Sequence, residues 1–275
     1  MKKVLISMVT FQQKELLEKA IHSILNAKKD KISIDIVVID NASPTKIYQD
    51  IKRKFPIVKT IRSEKNLGYG GAHNLALKNF QQYDYIIIAN DDIFVFEDTI
   101  EKLVEFMEEH PEIGICGPKI LNPDGSWQPS CLNYASPRLF FIRALRLDRI
   151  FTKYLYGGKP YSVPTEVEAV MGSFFIVRRE CLEKVGLFDT RFFMFLEETD
   201  LCYRIYKAGW KIVYFPCVSI VHYKGASTRK IPLKMLIEIQ KSIYKYIEKY
   251  YGKSIANLTM QILLLHYLLR FPHIP

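Results

Sequence analysis

The sequence predicts an α/β protein with a mainly parallel central sheet, helices on both faces of that sheet and a helical extension at the C-terminus. Strand-like and helix-like segments alternate regularly through residues 1–110. The strand-like segments are continuous apolar runs rich in valine and isoleucine, which are typical of parallel strands covered on both faces. A chain of 275 residues with 49% hydrophobic content is sufficient to bury a core of this kind.

Four strand–helix units account for the alternation. We expect strands at residues 4–9, 34–39, 58–62 and 85–89. Apolar side chains recur at helical spacing between them, and we expect helices at residues 14–27, 45–55, 70–80 and 98–109. Ligands bind at the carboxyl ends of the strands in doubly wound sheets, so the polar residues that follow these strands are the first candidates for a site.

The predicted elements become shorter after Pro111. We expect strands at residues 113–118, 126–128, 169–177 and 211–214. Helices are expected at residues 137–156, 179–185, 198–208, 232–251 and 255–270. No repeat, low-complexity tract or linker separates these segments, so one compact domain followed by a helical extension fits best.

The net charge of +10 is concentrated in two segments. Residues 134–160 carry a net charge of +5 and residues 224–275 carry +7, so the remainder of the chain carries −2. Positive charge placed in this way is compatible with duplex nucleic acid, with an anionic membrane or with a phosphate-bearing substrate.

Cysteine use indicates a reduced compartment, and the lengths of the apolar runs bear on insertion into a membrane. The five cysteines form no C-x-x-C pair and are odd in number, which argues against a disulfide framework and a structural zinc site. The apolar run at residues 4–11 is short and interrupted, so we expect a buried strand there and not a leader peptide. The run at residues 262–269 is well short of a membrane span. We therefore expect no transmembrane helix and a cytoplasmic protein.

The first candidate site is acidic. Asn90, Asp91 and Asp92 directly follow a predicted buried strand. Adjacent carboxylates at such a position are costly unless a cation or hydrogen-bond donors satisfy them. Mg²⁺ and Mn²⁺ commonly take one or two carboxylates together with phosphate oxygens, so a metal site is one interpretation. The alternative is a plain turn before a helix capped by Asp98.

A second acidic cluster, Glu-Glu-Thr-Asp at residues 197–200, opens a helix after an aromatic run. Carboxylates stabilise a helix N-terminus, but capping alone needs fewer than three of them. Apolar surroundings raise the pKa of a carboxyl group and suit a general base. His222 follows another strand-like run. A lone histidine is usually structural, and His222 becomes a candidate only in company with the two acidic clusters.

The order of these motifs carries the strongest signal. The sequence resembles the nucleotide-sugar glycosyltransferases of family 2, which have the GT-A fold, and most of all their bacterial rhamnosyltransferase-like branch, which builds cell-surface polysaccharides. The matching stretches are residues 9–11, 37–43, 66–74, 90–92, 172–175, 185–189, 197–204 and 222–227.

The resemblance implies a division of the chain by function. Residues 1–228 are expected to form the glycosyltransferase domain, with a nucleotide-binding half at residues 1–110 and an acceptor and catalytic half at residues 111–228. Residues 229–275 remain as a C-terminal helical extension.

The resemblance places the donor at the strand ends of the first half. The nucleobase is expected against Thr10, Phe11 and Asp40, where an aromatic face stacks on a pyrimidine and a carboxylate accepts its N3–H. A turn role is the alternative for Asp40. The other expected nucleotide-sugar contacts are Asn66, Gly68, Gly71, Asn90 and Asp91. Backbone N–H groups of the glycine-rich loop approach the donor without obstruction from Cβ atoms.

The resemblance also implies a metal-dependent reaction with inversion. Asp92 and His222 are the expected ligands of Mn²⁺ or Mg²⁺, which neutralises the departing diphosphate. Glu198 is the expected base that takes the proton of the acceptor hydroxyl during in-line attack on the anomeric carbon. Glu197 and Asp200 are alternative bases, because the family has Asp at the position of Glu198. The residues expected on the acceptor side are Gly172, Ser173, Trp127 and Met171.

Donor and acceptor are expected from the branch. The first expectation is transfer of L-rhamnose from dTDP-L-rhamnose to a cell-surface polysaccharide or a polyprenyl-diphosphate-linked glycan. Transfer of galactose or glucose from a UDP-hexose is the alternative, and a non-catalytic nucleotide-sugar-binding protein is a third reading. A dinucleotide-dependent oxidoreductase would need G-x-G-x-x-G after the first strand, and residues 10–15 lack it.

The basic segments suggest partners beyond the substrates. Residues 137–156 interleave basic and apolar side chains, as in amphipathic helices that lie on anionic membranes, so we expect a peripheral location on the inner face of the cell membrane. A solvated face or a homodimer contact is the alternative. Nucleic acid is not expected, because the acidic clusters repel its backbone and the basic segments lack base-reading motifs.

Overall fold

The structure is a computed structural model. It describes the backbone of residues 1–144, 161–223 and 232–270, together with the side chains of these residues except 143, 144, 232 and 266–270. The strands are β1 (Lys2–Thr10), β2 (Ile32–Asp40), β3 (Lys59–Arg62), β4 (Tyr85–Asn90), β5 (Ile93–Val95), β6 (Ile113–Leu121), β7 (Trp127–Gln128), β8 (Cys131–Leu132), β9 (Thr165–Glu166), β10 (Ala169–Val170), β11 (Phe174–Arg178) and β12 (Lys211–His222). The α-helices are α1 (Lys14–Leu25), α2 (Ile47–Lys54), α3 (Gly68–Ala76), α4 (Thr99–Glu109), α5 (Pro137–Ala144), α6 (Arg179–Val185), α7 (Glu197–Lys207), α8 (Pro232–Tyr251) and α9 (Lys253–Arg270).

One large sheet organises the molecule, in the order β3-β2-β1-β4-β11-β6-β12-β5, with β7 on β6 and β9 on β12. The first four strands of that order are parallel, as predicted, and Thr10 and Asp40 are level with each other at their ends. β11 enters antiparallel between β4 and β6, so the sheet is mixed. The α/β class is confirmed. Apolar runs could not signal the reversal of β11, because a buried antiparallel strand has the same composition.

Two apolar cores cover opposite faces of the sheet. One contains side chains of α1, α2 and α4, such as Leu17 and Leu103, and the other contains side chains of α3, α6 and α7, such as Leu182 and Leu201. Because both faces are covered, the central strands are mainly apolar, and Ser7, the polar residue inside β1, is buried and hydrogen-bonded to His73.

The C-terminal extension forms a third, smaller core. Helix α8 packs against α9, and α9 packs against α5. Their buried side chains include Ile243, Tyr246 and Ile247 of α8, and they surround Phe192 from the segment that precedes α7. The predicted helical extension is therefore present and is joined to the domain next to the helix that begins at Glu197.

Strand β12 differs most from its expected bounds. It continues to His222, eight residues beyond the expected end at residue 214, and its pairing with β6 shifts register between Phe215 and Ser219. Pro216 lies in that interval, where an irregularity removes the need for a ladder N–H. The strand thereby carries His222 to the same edge of the sheet as the end of β4.

Other expectations are met in part or lie outside the description. The expected strand at residues 169–177 is divided into β10 and β11, and α5 covers the first part of the helix expected at residues 137–156. The rest of that helix, and the 224–227 part of the matched stretch at 222–227, lie outside the described residues. Within the described chain, every helix is too short or too polar to cross a membrane.

Candidate active site

A cavity of about 350 Å³ opens at the carboxyl ends of β1, β2 and β4. The loop before α3, the segment between β10 and β11, the segment before α7 and the start of α8 complete its walls. The predicted site residues that line it are Phe11, Asn66, Gly68, Asn90, Asp91, Asp92, Gly172, Ser173, Glu197, Glu198 and His222. The fold therefore brings both acidic clusters and the histidine to one place.

The remaining predicted site residues lie outside the described lining of this cavity. These residues are Thr10, Asp40, Gly71, Trp127 and Asp200. Thr10 is buried at the end of β1, Gly71 lies within α3 against Leu67, and Trp127 lies in β7 opposite Leu121. Their assigned roles stay predictions.

Asp40 is fully buried, and its carboxylate already has several donors. Its Oδ2 accepts from Arg62 Nη1 at 2.9 Å, and its Oδ1 accepts from the backbone N–H of Ser43 at 2.9 Å. The neighbouring Asn41 reaches the cavity and bonds to both Asn66 and the backbone of Leu67. Asn41 thus ties the end of β2 to the loop that precedes α3.

Asp92 and His222 meet where β4 and β12 end. The Nε2 atom of His222 lies 3.2 Å from Asp92 Oδ1 and 3.3 Å from the Asn90 amide nitrogen, and the Asp92 and His222 side chains are each 7% exposed. Asp92 Oδ1 is buried without a hydrogen-bond partner. His222 Nε2 and Asp92 Oδ1 therefore face one another at the ends of the two strands.

Gln128 determines which nitrogen of His222 faces Asp92. The Gln128 amide nitrogen donates to Asn122 Oδ1 at 2.8 Å, so its Oε1 is the atom that faces His222 Nδ1, at 2.7 Å. An amide oxygen can only accept, so Nδ1 carries the proton and Nε2 of a neutral imidazole carries a lone pair. A metal-binding histidine is oriented in this same way by an acceptor at its other nitrogen.

The electrostatics of this corner suit a cation. Burial, reinforced by the neighbouring Asp92, raises the pKa of Asp91 to about 8. Asp92 and His222 offer one oxygen and one nitrogen to an ion, which fits a divalent cation that completes its shell with phosphate oxygens and water. The described residues contain no cluster of three or more His, Cys, Asp or Glu side chains placed to hold a metal by themselves.

Glu197 and Glu198 begin α7 on the opposite wall of the cavity. Burial raises the pKa of both carboxyl groups, and the neighbouring Glu198 raises that of Glu197 further. Glu197 Oε2 and Glu198 Oε2 are buried without hydrogen-bond partners. Gly172 lies against Glu198, where a Cβ atom at residue 172 would be 3.6 Å from Glu198 Cβ. A carboxylate in this setting is a stronger proton acceptor than one in water.

Asp200 faces away from the cavity and is fully buried. Its carboxylate accepts hydrogen bonds from Arg204 Nε at 2.8 Å, Lys249 Nζ at 2.5 Å and the Tyr250 hydroxyl at 2.6 Å. Arg204 also donates to the backbone carbonyl of Val185. The geometry therefore gives Asp200 an anchoring position between α7 and α8.

The backbone is strained on two sides of the cavity. The non-glycine residues with positive φ in the described chain are Gln12, Ala42, Phe195 and Leu196, with values from 64° to 69°. The first two follow the ends of β1 and β2, and the other two immediately precede Glu197. Such conformations cost energy and tend to occur at functional sites, where the surrounding structure holds them.

Gly68 allows the start of α3 to pack closely against the segment that precedes α7. Its φ is +75°, and a Cβ atom at this residue would lie 2.0 Å from the carbonyl oxygen of Phe193. The backbone N–H of Tyr69 donates to that same oxygen at 2.8 Å, and the Tyr69 hydroxyl donates to the carbonyl of Gly172. The glycine-rich loop thus holds the walls that carry Glu197 and Glu198 in place.

Some lining residues are absent from the sequence-based predictions. They are Val9, Asn41, Tyr69, Phe193, Met194, Phe195, Lys234 and Met235, whereas Met171, which also lines the cavity, is an expected acceptor-side residue. Asn41 follows β2 directly, so the rule of strand ends could have found it. Lys234 and Met235 come from α8, and no local pattern indicates that this helix reaches the cavity.

The sequence matches one protein family and several known proteins. The model of a family described as Glycosyl transferase family 2 matches residues 5–186. The chain is 30% identical over 263 residues to the N-acetylglucosaminyl-diphospho-decaprenol L-rhamnosyltransferase of Mycobacterium tuberculosis strain H37Rv, covering 87% of this chain and 82% of that protein. It is 25% identical over 197 residues to the rhamnosyltransferase WbbL of Escherichia coli K12, covering 66% and 70% of the two chains.

Solved structures share the fold. The mannosyltransferase PcManGT from Pyrobaculum calidifontis, in complex with GDP-Man and Mn²⁺, superposes with a TM-score of 0.62 at 18% identity, over 96% of this chain and 71% of that one. GalNAc-T7 with UDP, GalNAc and Mn²⁺ gives 0.61 at 20% identity, over 80% of this chain and 44% of that one. The present chain thus spans less than half the length of the second structure.

Proposed function

Because the chain belongs to glycosyl transferase family 2 and is a glycosyltransferase of its rhamnosyltransferase-like branch, we propose that it transfers L-rhamnose from dTDP-L-rhamnose to a lipid-linked glycan, with inversion at the anomeric carbon. The observation that carries the proposal is the meeting in one cavity of the Asp92–His222 pair and the Glu197–Glu198 pair. One pair suits a diphosphate leaving group and the other suits the deprotonation of an attacking hydroxyl.

The donor is proposed to lie along the ends of β1, β2 and β4. Phe11 is 37% exposed in the cavity and offers a ring on which a base can stack. Asn41 and Asn66 supply amide groups on the same side. Asp40 then supports this wall through Arg62 and Ser43, or meets the base after a local rearrangement.

Asp92 and His222 are proposed to hold Mn²⁺ or Mg²⁺ through Oδ1 and Nε2. When bound, the ion supplies positive charge to the diphosphate as the glycosidic bond breaks. The buried oxygen of Asp92 without a partner and the orientation imposed on His222 by Gln128 support this assignment. The bound ions of the PcManGT and GalNAc-T7 structures are consistent with it.

Glu198 is proposed as the general base. Its carboxylate takes the proton of the acceptor hydroxyl, that oxygen forms a bond to the anomeric carbon, and the bond to the diphosphate oxygen breaks on the opposite face. Glu197 lies next to it in the chain and is buried, and the neighbouring Glu198 adds to the effect of burial in raising the pKa of Glu197. Desolvation strengthens a carboxylate as a base, and this is the expected contribution of the apolar wall.

The test is a panel of nucleotide sugars with and without Mn²⁺. dTDP-L-rhamnose is expected to raise the melting temperature in a Mn²⁺-dependent way and to be hydrolysed slowly when no acceptor is present. Magnetic resonance of the product with a diphosphate-linked glycan acceptor is expected to show an inverted anomeric centre. Preference for UDP-galactose or UDP-glucose would replace the donor assignment, and no response to any donor would reject the proposal.

A further inference from the structure

A second cavity lies between α8 and α9. Its volume is about 560 Å³. The apolar side chains that line it are Leu236, Ile237, Tyr244, Met260, Leu263 and Leu264. Leu264 is 60% exposed, and the two lysines on the border already have partners, since Lys241 pairs with Glu238 and Lys245 donates to the carbonyl of Arg191. An exposed apolar groove of this kind is typical of a binding surface.

Helix α8 contributes to both the groove and the active-site cavity. Lys234 and Met235 line the active-site cavity, and the next two residues of α8, Leu236 and Ile237, line the groove. Lys234 is the one Lys or Arg that the described residues contribute to the active-site cavity. The four carboxylates of the active-site cavity (Asp91, Asp92, Glu197 and Glu198) are therefore followed, along α8, by a single cation and then by the apolar groove.

This order matches the order of groups in one class of molecule. A glycolipid whose sugar is joined to an isoprenoid chain by a phosphate or diphosphate presents a hydroxyl, then a negative charge, then an apolar chain. We propose that the groove between α8 and α9 binds the apolar chain of such an acceptor, while Lys234 contacts its phosphate linker. The proposal deepens the function proposed above and rests on it for the identity of the sugar that is transferred.

The shape of the surface favours a single chain as the occupant. The groove is concave and is lined by the same helix, α8, as the active-site cavity, whereas contact with a bilayer needs only a flat apolar stripe. An apolar chain that leaves water along Leu236, Ile237 and Leu264 gains affinity in proportion to its buried area, so a longer chain is expected to bind more tightly.

Two leucine variants of α9 separate the groove from the general surface. Leu264 lines the groove and is 60% exposed, whereas Leu258 is 52% exposed and lies outside the groove lining. With a long-chain acceptor, Leu264→Asp is expected to raise KM by about tenfold or more, and Leu258→Asp to leave it unchanged. With a short-chain acceptor that carries the same sugar diphosphate, both variants are expected to match the unmodified protein. Lys234→Gln is expected to raise KM for both acceptors.

Direct binding distinguishes failure of this proposal from failure of the proposed function. Binding of a fluorescently labelled polyprenyl diphosphate in detergent is expected to weaken in Leu264→Asp and not in Leu258→Asp, even if no donor supports transfer. Equal affinities for all three proteins would overturn the groove assignment. Equal loss of binding to anionic vesicles in both leucine variants, or loss of a dimer in Leu264→Asp alone during size-exclusion chromatography, would also overturn it.

Discussion

The ammonium group of Lys249 lies 2.5 Å from Asp200 Oδ1 and also 2.8 Å from Asp189 Oδ2. This contact joins the C-terminal extension to the helix that begins with Glu197 and Glu198, because Asp200 lies one turn beyond the first of them. The acidic cluster at residues 197–200 is thus divided in space. Glu197 and Glu198 line the cavity, whereas Asp200 binds Lys249 and anchors the extension.

Loss of the anchor is expected to loosen α7, the helix that carries the proposed base. Lys249→Met removes a cation from a fully buried carboxylate that retains Arg204 and Tyr250, and we expect it to cost about 1–3 kcal/mol of unfolding free energy. Chemical denaturation measures this change. Lys241→Met is the matched control, since Lys241 Nζ pairs with Glu238 inside α8, at 2.9 Å. Equal effects of the two variants would contradict an anchoring role.

Replacement of the proposed base is expected to affect turnover and not donor binding. Glu198→Gln keeps the shape of the side chain and removes its ability to take a proton, so kcat is expected to fall by about 10²–10⁴-fold. Donor affinity, measured by thermal shift, is expected to stay the same. Glu197→Gln is expected to have a smaller effect on kcat. A Glu198→Gln variant with full transfer activity would reject the assignment.

The pH dependence of activity follows from the same burial. Because burial raises the pKa of Glu198 above the ordinary 4.5 of a glutamate, its carboxylate becomes protonated at a higher pH than an exposed one. The acid limb of kcat is therefore expected to lie above pH 4.5, towards neutrality, with activity falling as pH falls. In Glu198→Gln this limb is expected to disappear from the residual rate. A limb that persists unchanged would point to another base.

The stability of the metal-free protein is expected to have the opposite pH dependence. The raised pKa values of Glu197 and Glu198 mean that the folded state binds their protons more tightly than the unfolded state does. Their contribution to stability is fully present below pH 4.5 and is lost as pH rises through the raised values. The melting temperature of a Glu197→Gln/Glu198→Gln protein is therefore expected to rise relative to the unmodified protein between pH 5 and pH 8. A constant difference would contradict the shifts.

The hydrogen bond between Gln128 and His222 is expected to tune metal binding. His222→Ala removes a proposed ligand, and Mn²⁺ is expected to lose most of its effect on the melting temperature. Gln128→Leu leaves the imidazole in place and frees its Nδ1, so Mn²⁺ affinity is expected to fall by about 10–100-fold. Titration of Mn²⁺ against the thermal shift measures both. Unchanged Mn²⁺ affinity in both variants would remove His222 from the site.

Gly68 offers a test of the loop that supports the segment before Glu197 and Glu198. Gly68→Ala places a methyl group on the Phe193 carbonyl at a residue with φ of +75°, whereas Gly125→Ala has a φ of +81° and no atom within 4 Å. Gly125→Ala therefore measures the cost of the left-handed conformation alone, about 1–2 kcal/mol. Gly68→Ala is expected to cost more and to reduce transfer as well. Equal losses of unfolding free energy in the two variants would contradict a close contact between residue 68 and the Phe193 carbonyl.

The strand ends were the most predictable part of the molecule. Asn90 to Asp92 follow a continuous apolar run, and a parallel strand of that composition fixes both its burial and the edge at which it ends. The antiparallel entry of β11 and the continuation of β12 past Pro216 were not predictable. A buried strand has the same composition in either direction. A proline in the sequence usually predicts the end of a strand, because it has no N–H to donate to the ladder.

Within the cavity, local motifs found the residues that are proposed to act and missed the residues that support them. Glu197 and Glu198 are visible because carboxylates beside an aromatic run are chemically unusual. The supporting contacts of Gln128 and Lys249 join residues 94 and 49 positions apart. Such contacts depend on which helix or strand packs where, and a periodic pattern carries no information about the partner of an amphipathic face.

The hydrogen bonds between α8 and the domain converge on a short stretch of chain, and α9 packs against α5. Ser242, Lys245, Lys249 and Tyr250 all bond to residues between 189 and 200, while the donor wall is built from β1, β2 and β4. Since these hydrogen bonds lie apart from the strands of the proposed donor wall, we expect the extension to be an exchangeable module. Chimeras that keep residues 1–228 and receive the extension of a relative are expected to change the preferred acceptor while keeping the donor, so that the two specificities can evolve separately.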